Sequence, residues 1–287
     1  IEHSNTIAYL GEVAPGSSAD SIGITNAQDV LQVSPTDTAA ELTQTTPAIK
    51  GAPTRYYESL STYGRTFARL VPTTAVEAQA VIGQMKSMGV QRLYVTGDGS
   101  EYGRTIAQAV RADASPSIVV QHSAAGAGAV FYAGSSVPGA DNTLSHAAAD
   151  NPSAKLFVPS ALDDSAFLAQ LGPGVQRNLY VSSPGRLPRA TDSAARKFTA
   201  DFRSAYGHAP SSQAAFGYAA MAAVIKVISE AGSAANNRSA VVHKFLAIRD
   251  LPSVVGTFSI DGNGDTSLRG FVISRVKAGR LVPFKAA

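Results

Sequence analysis

The chain has 287 residues, 45% hydrophobic and 16% charged, with no cysteine, no tryptophan and a formal net charge of +3. That length suits one large domain or two smaller lobes, and the apolar content is too high for a disordered chain. The lack of cysteine excludes disulfides, thiolate metal sites and thiol nucleophiles, and the scattered basic residues, with Arg196-Lys197 the longest run, argue against nucleic acid.

The chain opens on a polar start that runs into a strand at Thr6–Leu10, with neither a charged n-region nor an apolar signal core ahead of it. Short apolar runs predict further strands at Val30–Val33, Gln91–Thr96, Ser117–Val120, Ala129–Ala133, Lys155–Val158 and Asn178–Ser182. Helical stretches alternate with them. Thr74–Met88 begins with Thr74 and Glu77 as a capping box, sets Ala78, Val81, Met85 and Met88 on one face, and ends at Gly89. Glu101–Asp113 follows a Gly-Asp-Gly turn, and Thr191–Tyr206 is amphipathic through Ala195, Phe198, Phe202 and Ala205. Ser212–Ala231 is apolar nearly all round, which predicts a buried core helix closed by Gly232. No stretch reaches the roughly 18 consecutive apolar residues of a membrane span, so no transmembrane segment is expected.

The alternation predicts an α/β fold of parallel sheets with helices on their faces. One connection strains that rule: the Ala- and Gly-rich stretch 121–129 is shorter than the dozen or so residues of a parallel crossover. Either its strands are not neighbours or the crossover helix is degenerate. The tail changes character, with antiparallel strands expected at Gly256–Ile260 and Phe271–Val276 around Asp261-Gly-Asn-Gly-Asp265, then a hairpin turn at Ala278-Gly279.

Chemistry-bearing residues concentrate in loops. Pro15-Gly16-Ser17-Ser18-Ala19-Asp20 follows a strand and opens a helix, so its N–H groups and hydroxyls form either an anion cradle or plain N-caps. Without a Lys or a Gly-x-Gly-x-x-Gly spacing, a carboxylate fits it better than a nucleotide. Ser34-Pro35-Thr36-Asp37-Thr38 lies after the next strand, at the carboxyl edge where open α/β sheets bind ligands. Tyr102, at the start of a later helix, is either a ligand contact or a packed tyrosine.

Catalytic constellations are thin. The five histidines lack metal-ligand spacing, no Gly-x-Ser-x-Gly elbow occurs, and Asp163-Asp164 reads more simply as a helix cap than as an acid/base pair. The Asp261–Asp265 loop departs from a calcium loop, with Thr266 where a glycine is needed and Val272 in place of the closing Glu. No enzyme, metal site or cofactor is expected.

Six segments, taken in order, carry a resemblance. They are Ile7-Ala-Tyr-Leu-Gly-Glu12 with Gly16–Ala19, Gln32–Thr38 with Glu41-Leu-Thr43, Arg92–Val95 with Ser100-Glu-Tyr-Gly-Arg104, Ala129–Gly134, Phe216–Met221 and Gly256–Asp265. In order and spacing the chain resembles type I periplasmic solute-binding proteins of ABC transporters, the branched-chain amino-acid-binding family. The resemblance implies two α/β lobes joined by three crossings, near Phe67–Pro72, Tyr180–Gly185 and Val255–Ser259, that trap a small solute by hinge closure. Lobe I would be residues 1–70 plus 184–256, without the family's N-terminal βαβα segment; lobe II would be 71–183 plus 257–287.

The resemblance further implies that Ser17, Ser18, Thr36 and Thr38 hold the solute's carboxylate and that Tyr102 closes over it. Tyr132 and the loop of Ser160 and Asp163 would line the rest. Amino-acid-binding members place an acid in the loop after the Lys155–Val158 strand to take an ammonium; Ser160 and Ala161 stand there and Asp163 comes late, so an amino acid and an amine-free acid both stay open. The expected function is delivery of such a solute to an ABC permease, with a ligand-binding sensor of the same fold as the alternative. The expected location is periplasmic or extracellular, any lipid anchor lying in a segment outside these residues.

Overall fold

The computed structural model describes residues 5–185 and 192–284. Ten strands run in chain order among these: β1 (Ala8–Leu10), β2 (Leu31–Ser34), β3 (Phe67–Arg69), β4 (Arg92–Gly97), β5 (Val119–Gln121), β6 (Ala129–Ala133), β7 (Lys155–Val158), β8 (Leu179–Pro184), β9 (Phe271–Lys277) and β10 (Arg280–Pro283). The α-helices are α1 (Ile22–Ala27), α2 (Leu60–Tyr63), α3 (Thr74–Ser87), α4 (Glu101–Ala114), α5 (Val137–Asp150), α6 (Ser165–Gln170), α7 (Pro173–Asn178), α8 (Ser193–Tyr206), α9 (Ser212–Ala231) and α10 (Arg238–Leu246). The alternation expected from the sequence is realised, and the fold is α/β.

The chain forms two compact units. Unit 1 comprises Ile1–Thr46, Lys50–Thr73 and Gly185–Gly270; unit 2 comprises Pro47–Ile49, Thr74–Pro184 and Phe271–Ala287. The chain therefore changes unit at 46/47, 49/50, 73/74, 184/185 and 270/271, and the segment 257–270, expected in the second lobe, groups with unit 1. The cause is visible in its side chains: Phe258 and Ile260 enter the unit 1 core and Asp265 pairs with Arg69. The strand expected at Gly256–Ile260 does not form; only isolated antiparallel bridges, Leu251 to Phe258 and Ile260 to Thr266, occur there.

Unit 1 contains a three-stranded parallel sheet in the order β1-β2-β3, with Ala8 opposite Leu31 and Gln32 opposite Phe67. Its core sets Leu31, Val33 and Ala68 against Phe216, Ala220 and Val224 of α9 and Val241, Val242 and Phe245 of α10. The full burial expected of α9 is not met. Phe216, Ala219, Ala220, Ala223, Val224 and Val227 face the core, but Tyr218, Met221 and Ile225 are exposed at 55%, 47% and 58%. By length and mean hydropathy, 1.4 over its best window, the 212–234 stretch could cross a membrane, which qualifies the expectation of no span; its buried face nonetheless packs on the unit 1 sheet. The amphipathic helix expected from Thr191 is α8; Thr191 lies outside the described residues.

Unit 2 holds a seven-stranded sheet in the order β10-β9-β8-β7-β6-β4-β5, parallel from β8 to β5 and antiparallel at β8–β9 and β9–β10. The hairpin between β9 and β10 turns at Ala278 and Gly279, both at positive φ, as the sequence suggested. The short connection 122–128 is explained by strand order. β4 lies between β5 and β6, and the connection crosses without a helix, tied to the start of β4 by Gly128 N donating to Arg92 O at 2.9 Å and Arg92 Nε donating to Gly126 O at 2.9 Å.

Candidate functional site

In unit 1 the loops after β1 and β2 converge at the carboxyl edge of the parallel sheet, where the sequence placed them. Thr36 Oγ1 donates to Val13 O at 2.6 Å and Ser34 Oγ donates to Glu12 O, also at 2.6 Å. The anion cradle expected between these loops is closed by a residue of the protein itself. Asp37, fully buried, accepts from Gly16 N at 2.7 Å and Ala39 N at 3.1 Å through Oδ1, and from Ser18 N at 2.9 Å through Oδ2. The segment Ser17–Asp20 is a single 3-10 turn with no side-chain cap, so Ser17 and Ser18 are not N-caps in the usual sense. Ser18 Oγ instead accepts from Glu12 N at 3.2 Å. Thr38 is fully buried and its Oγ1 has no hydrogen-bond partner, an unusual state for an interior hydroxyl.

Beneath these loops Arg69 is fully buried. Its Nη1 donates to the carbonyls of Asp37 at 2.8 Å and Ala39 at 2.7 Å, its Nη2 donates to Thr43 Oγ1 at 2.9 Å, and its Nε lies 2.9 Å from Asp265 Oδ1. The Asp261–Asp265 loop is the turn the sequence suggested, with Asp261 Oδ1 accepting from Asn263 N and Asp265 N. It brings Asp265 to Arg69 through Gly264, at φ 90°, where an added Cβ would lie 2.1 Å from Phe67 O.

In unit 2 the loops after β4, β6 and β7 carry the remaining expected residues. Asp98, beyond β4, accepts from Ser100 N and Oγ at 3.0 and 2.6 Å, and from Ser135 N and Ser136 N at 2.8 and 3.1 Å. Burial pushes its carboxyl up, but these four donors outweigh that and hold it below its ordinary value. Gly134 leaves the room for this clasp, since a Cβ there would lie 2.3 Å from Asp98 Oδ2. Tyr102 is buried in the first turn of α4, 3% exposed. Tyr132 is equally interior, its hydroxyl donating to Ser136 O at 3.2 Å, and burial followed by the nearby Asp98 charge pushes its phenol up.

After β7, Ser160 is bound to a residue the sequence reading assigned elsewhere. Glu77 does not serve a capping box with Thr74. It is fully buried and accepts from Ser160 N at 2.6 Å, from Ser160 Oγ at 3.1 Å and from Ser182 Oγ. Burial pushes its carboxyl up to about 7, against the hydrogen bonds from Ser182 and Ser160 that lower it, and the Asp163 charge adds to the rise. Asp163 itself is half-buried at the end of the Ser160 turn, while Asp164 caps α6 by accepting from Ala166 N at 2.8 Å, the structural role the sequence favoured for the pair.

The expected residues thus form two groups, Ser17, Ser18, Thr36 and Thr38 in unit 1 and Ser160 and Asp163 in unit 2, while Tyr102 and Tyr132 are interior. Sequence reasoning missed Asp37 and Glu77 as organisers. The signal was an acid inside a hydroxyl-rich loop and an acid in the first turn of a helix, both of which read as ordinary local features.

The periplasmic binding protein family model matches residues 112–280, more than half of the chain. Among curated proteins none matches by sequence. The chain is similar in structure to the leucine-binding protein LivK of Thermotoga maritima, with 20% identity and a TM-score of 0.79 over 99% of this chain and 80% of that one. An ABC transporter substrate-binding protein from Desulfitobacterium hafniense in complex with Leu gives 19% identity and a TM-score of 0.77 over 99% and 82%. An ABC transporter solute-binding protein from R. palustris in complex with benzoate gives 18% and 0.68 over 96% and 76%. At these identities the likeness shows a shared type I fold, and the family model adds membership: the chain belongs to the periplasmic binding protein family, whose members bind solutes.

Proposed function

We propose that this protein is an extracytoplasmic solute-binding protein that captures a small polar molecule by closure of its two units and delivers it to an ABC permease. Family membership supports the class. The observation that carries the site is Thr38, a buried hydroxyl without a partner in the loop after β2, beside the loop of Ser17 and Ser18. An interior polar atom left unpaired costs about 1–3 kcal/mol, a cost that a solute's polar group removes when it binds. Ser17, Ser18, Thr36 and Thr38 contact the solute from unit 1, and the turn of Ser160 and Asp163 contacts it from unit 2, with Tyr102 and Tyr132 forming the walls behind. No step of catalysis is assigned to these residues.

Isothermal calorimetry of the full chain against small amines, amino acids and organic acids tests this reading. A saturable signal that Thr38→Val and Ser17→Ala each weaken about tenfold is the expected result. A protein that is folded by thermal melt yet binds no member of such a panel would rule the reading out.

A further inference from the structure

We propose that unit 2 carries a second binding site, for a small polyanion: a molecule with two or more carboxylate or phosphate groups, held in a cavity between α4 and the free edge of β4. The cavity is lined by none of the residues assigned to the solute.

It arises from unequal strand lengths. β5 pairs with β4 only from Arg92 to Tyr94, whereas β4 runs on to Gly97, paired on its other side with β6 as far as Ala133. Past Gln121 the β5 side of β4 is therefore open. Alternate residues of a strand direct their N–H and C=O to opposite neighbours. Val119 N donates to Gln91 O on the β5 side and Asp98 N donates to Ala133 O on the β6 side, so Val95 and Gly97 face the gap. α4 lines the gap, as does the segment Pro47–Ile49, which groups with unit 2 and is tied to α4 by Ala48 N donating to Gln108 Oε1 at 3.2 Å. The space measures about 540 Å3, within the range of small-molecule sites.

Its polar chemistry is one-sided. Arg104, Ala107, Gln108 and Arg111 recur at three- and four-residue spacing, so one face of α4 carries both guanidiniums to the cavity, and no acidic side chain lines it. Arg111 Nη2 donates to Val95 O at 3.0 Å. That bond covers the strand edge, but it spends one of five N–H donors on a neutral carbonyl. Arg104 Nη1 donates to Gly99 O at 2.9 Å, and its Nη2 stands 3.8 Å from Glu101 Oε1, with both side chains partly in solvent. The Asp98 carboxylate is turned to Ser100, Ser135 and Ser136 and does not line the cavity. Gln108 accepts from Ala48 through its oxygen, which leaves its amide hydrogens for a ligand.

The two guanidiniums are anchored at carbonyls four residues apart in the chain, so they meet a ligand from separate points. This suits a molecule with more than one anionic group, since each group can take paired N–H donors from a guanidinium. A cation would find no carboxylate there. Pro47, Val95 and Ala133 supply apolar contact for a short carbon skeleton.

Calorimetry of the full chain with citrate and with inorganic pyrophosphate tests the proposal, with acetate as the singly charged control. At least one polyanion should bind saturably, about tenfold or more tightly than acetate, and more weakly as salt is raised. Arg104→Gln and Arg111→Gln should each weaken that binding about tenfold. Thr38→Val, in the loop assigned to the solute, should leave it within about twofold. If Arg111→Gln does not fold, because it uncovers Val95 O, Arg104→Gln alone carries the test, its side chain being half in solvent. Binding that survives the arginine substitutions, that Thr38→Val weakens as much as they do, or that acetate equals overturns this inference. Failure of both polyanions to bind overturns it as well, and each of these results leaves the solute-binding reading to its own test.

Discussion

Arg69 and Asp265 lie 2.9 Å apart, the guanidinium fully buried and the carboxylate nearly so. The pair joins the end of β3 to a turn almost two hundred residues later, and Asp265 also accepts from Thr43 Oγ1 at 2.9 Å and Gln44 Nε2 at 2.7 Å. Removing one member leaves the other charged and buried. Asp265→Ala or Arg69→Ala should each cost about 3–5 kcal/mol, read as a lower urea midpoint for unit 1. The double substitution should cost less than the sum of the two single ones, because it leaves no orphaned charge. A loss under about 1 kcal/mol in either single variant would contradict this account.

Glu77 makes stability depend on pH in an uncommon direction. Its carboxyl is raised from 4.5 to about 7, so between those values the folded state holds a proton that the unfolded chain has released. The stabilisation is complete below about 4.5, is lost as pH rises through about 7, and amounts to about 3 kcal/mol across that window. Denaturant titrations at intervals from pH 5 to 8 should show stability falling with rising pH, and Glu77→Gln should remove most of that slope. A wild-type slope of the opposite sign throughout would mean that other groups outweigh Glu77.

Asp98 acts in the opposite sense. Its carboxyl is held below the ordinary value, so its contribution is present above about 3.8 and lost as pH falls further. Because four donors converge on it and it joins the loops after β4 and β6, Asp98→Ala should destabilise unit 2 by about 2–3 kcal/mol. Gly134→Ala should be of similar severity, since the new methyl would occupy the place of the Asp98 carboxylate. Hydrogen exchange at Ser135 and Ser136 amides would report the loss directly.

The two faces of α9 should respond differently to substitution. Val224→Ala removes buried methyl groups from the unit 1 core and should cost about 1–3 kcal/mol. Met221→Gln and Ile225→Gln, on the exposed face, should each change stability by about 0.5 kcal/mol or less. A large cost at Ile225 would instead mean that this face is covered in the folded protein, and a thermal melt distinguishes the outcomes.

Local sequence determined the alternation of strands and helices, the hairpin at Ala278-Gly279, the cap at Asp164 and the convergence of the first two polar loops at a sheet edge. Each is a matter of short-range periodicity or of turn chemistry, and both act over a few residues. Tertiary structure decided what those loops can offer. Asp37 sits one residue from two expected ligand positions, yet only the approach of the loop after β1 turns it into the acceptor for Gly16 N and Ser18 N. Glu77 has the spacing of a capping box, but β7 and β8 present three donors to it from residues 83 and 105 positions away, and burial then raises its pKa. The same holds for 257–270, whose grouping with unit 1 depends on Asp265 meeting Arg69, and for the short 122–128 connection, which is possible because β4 separates the strands it joins. Hydrogen-bond satisfaction of a buried group is a property of everything that packs on it, so the partners of Asp37 and Glu77 were written only in the folded arrangement.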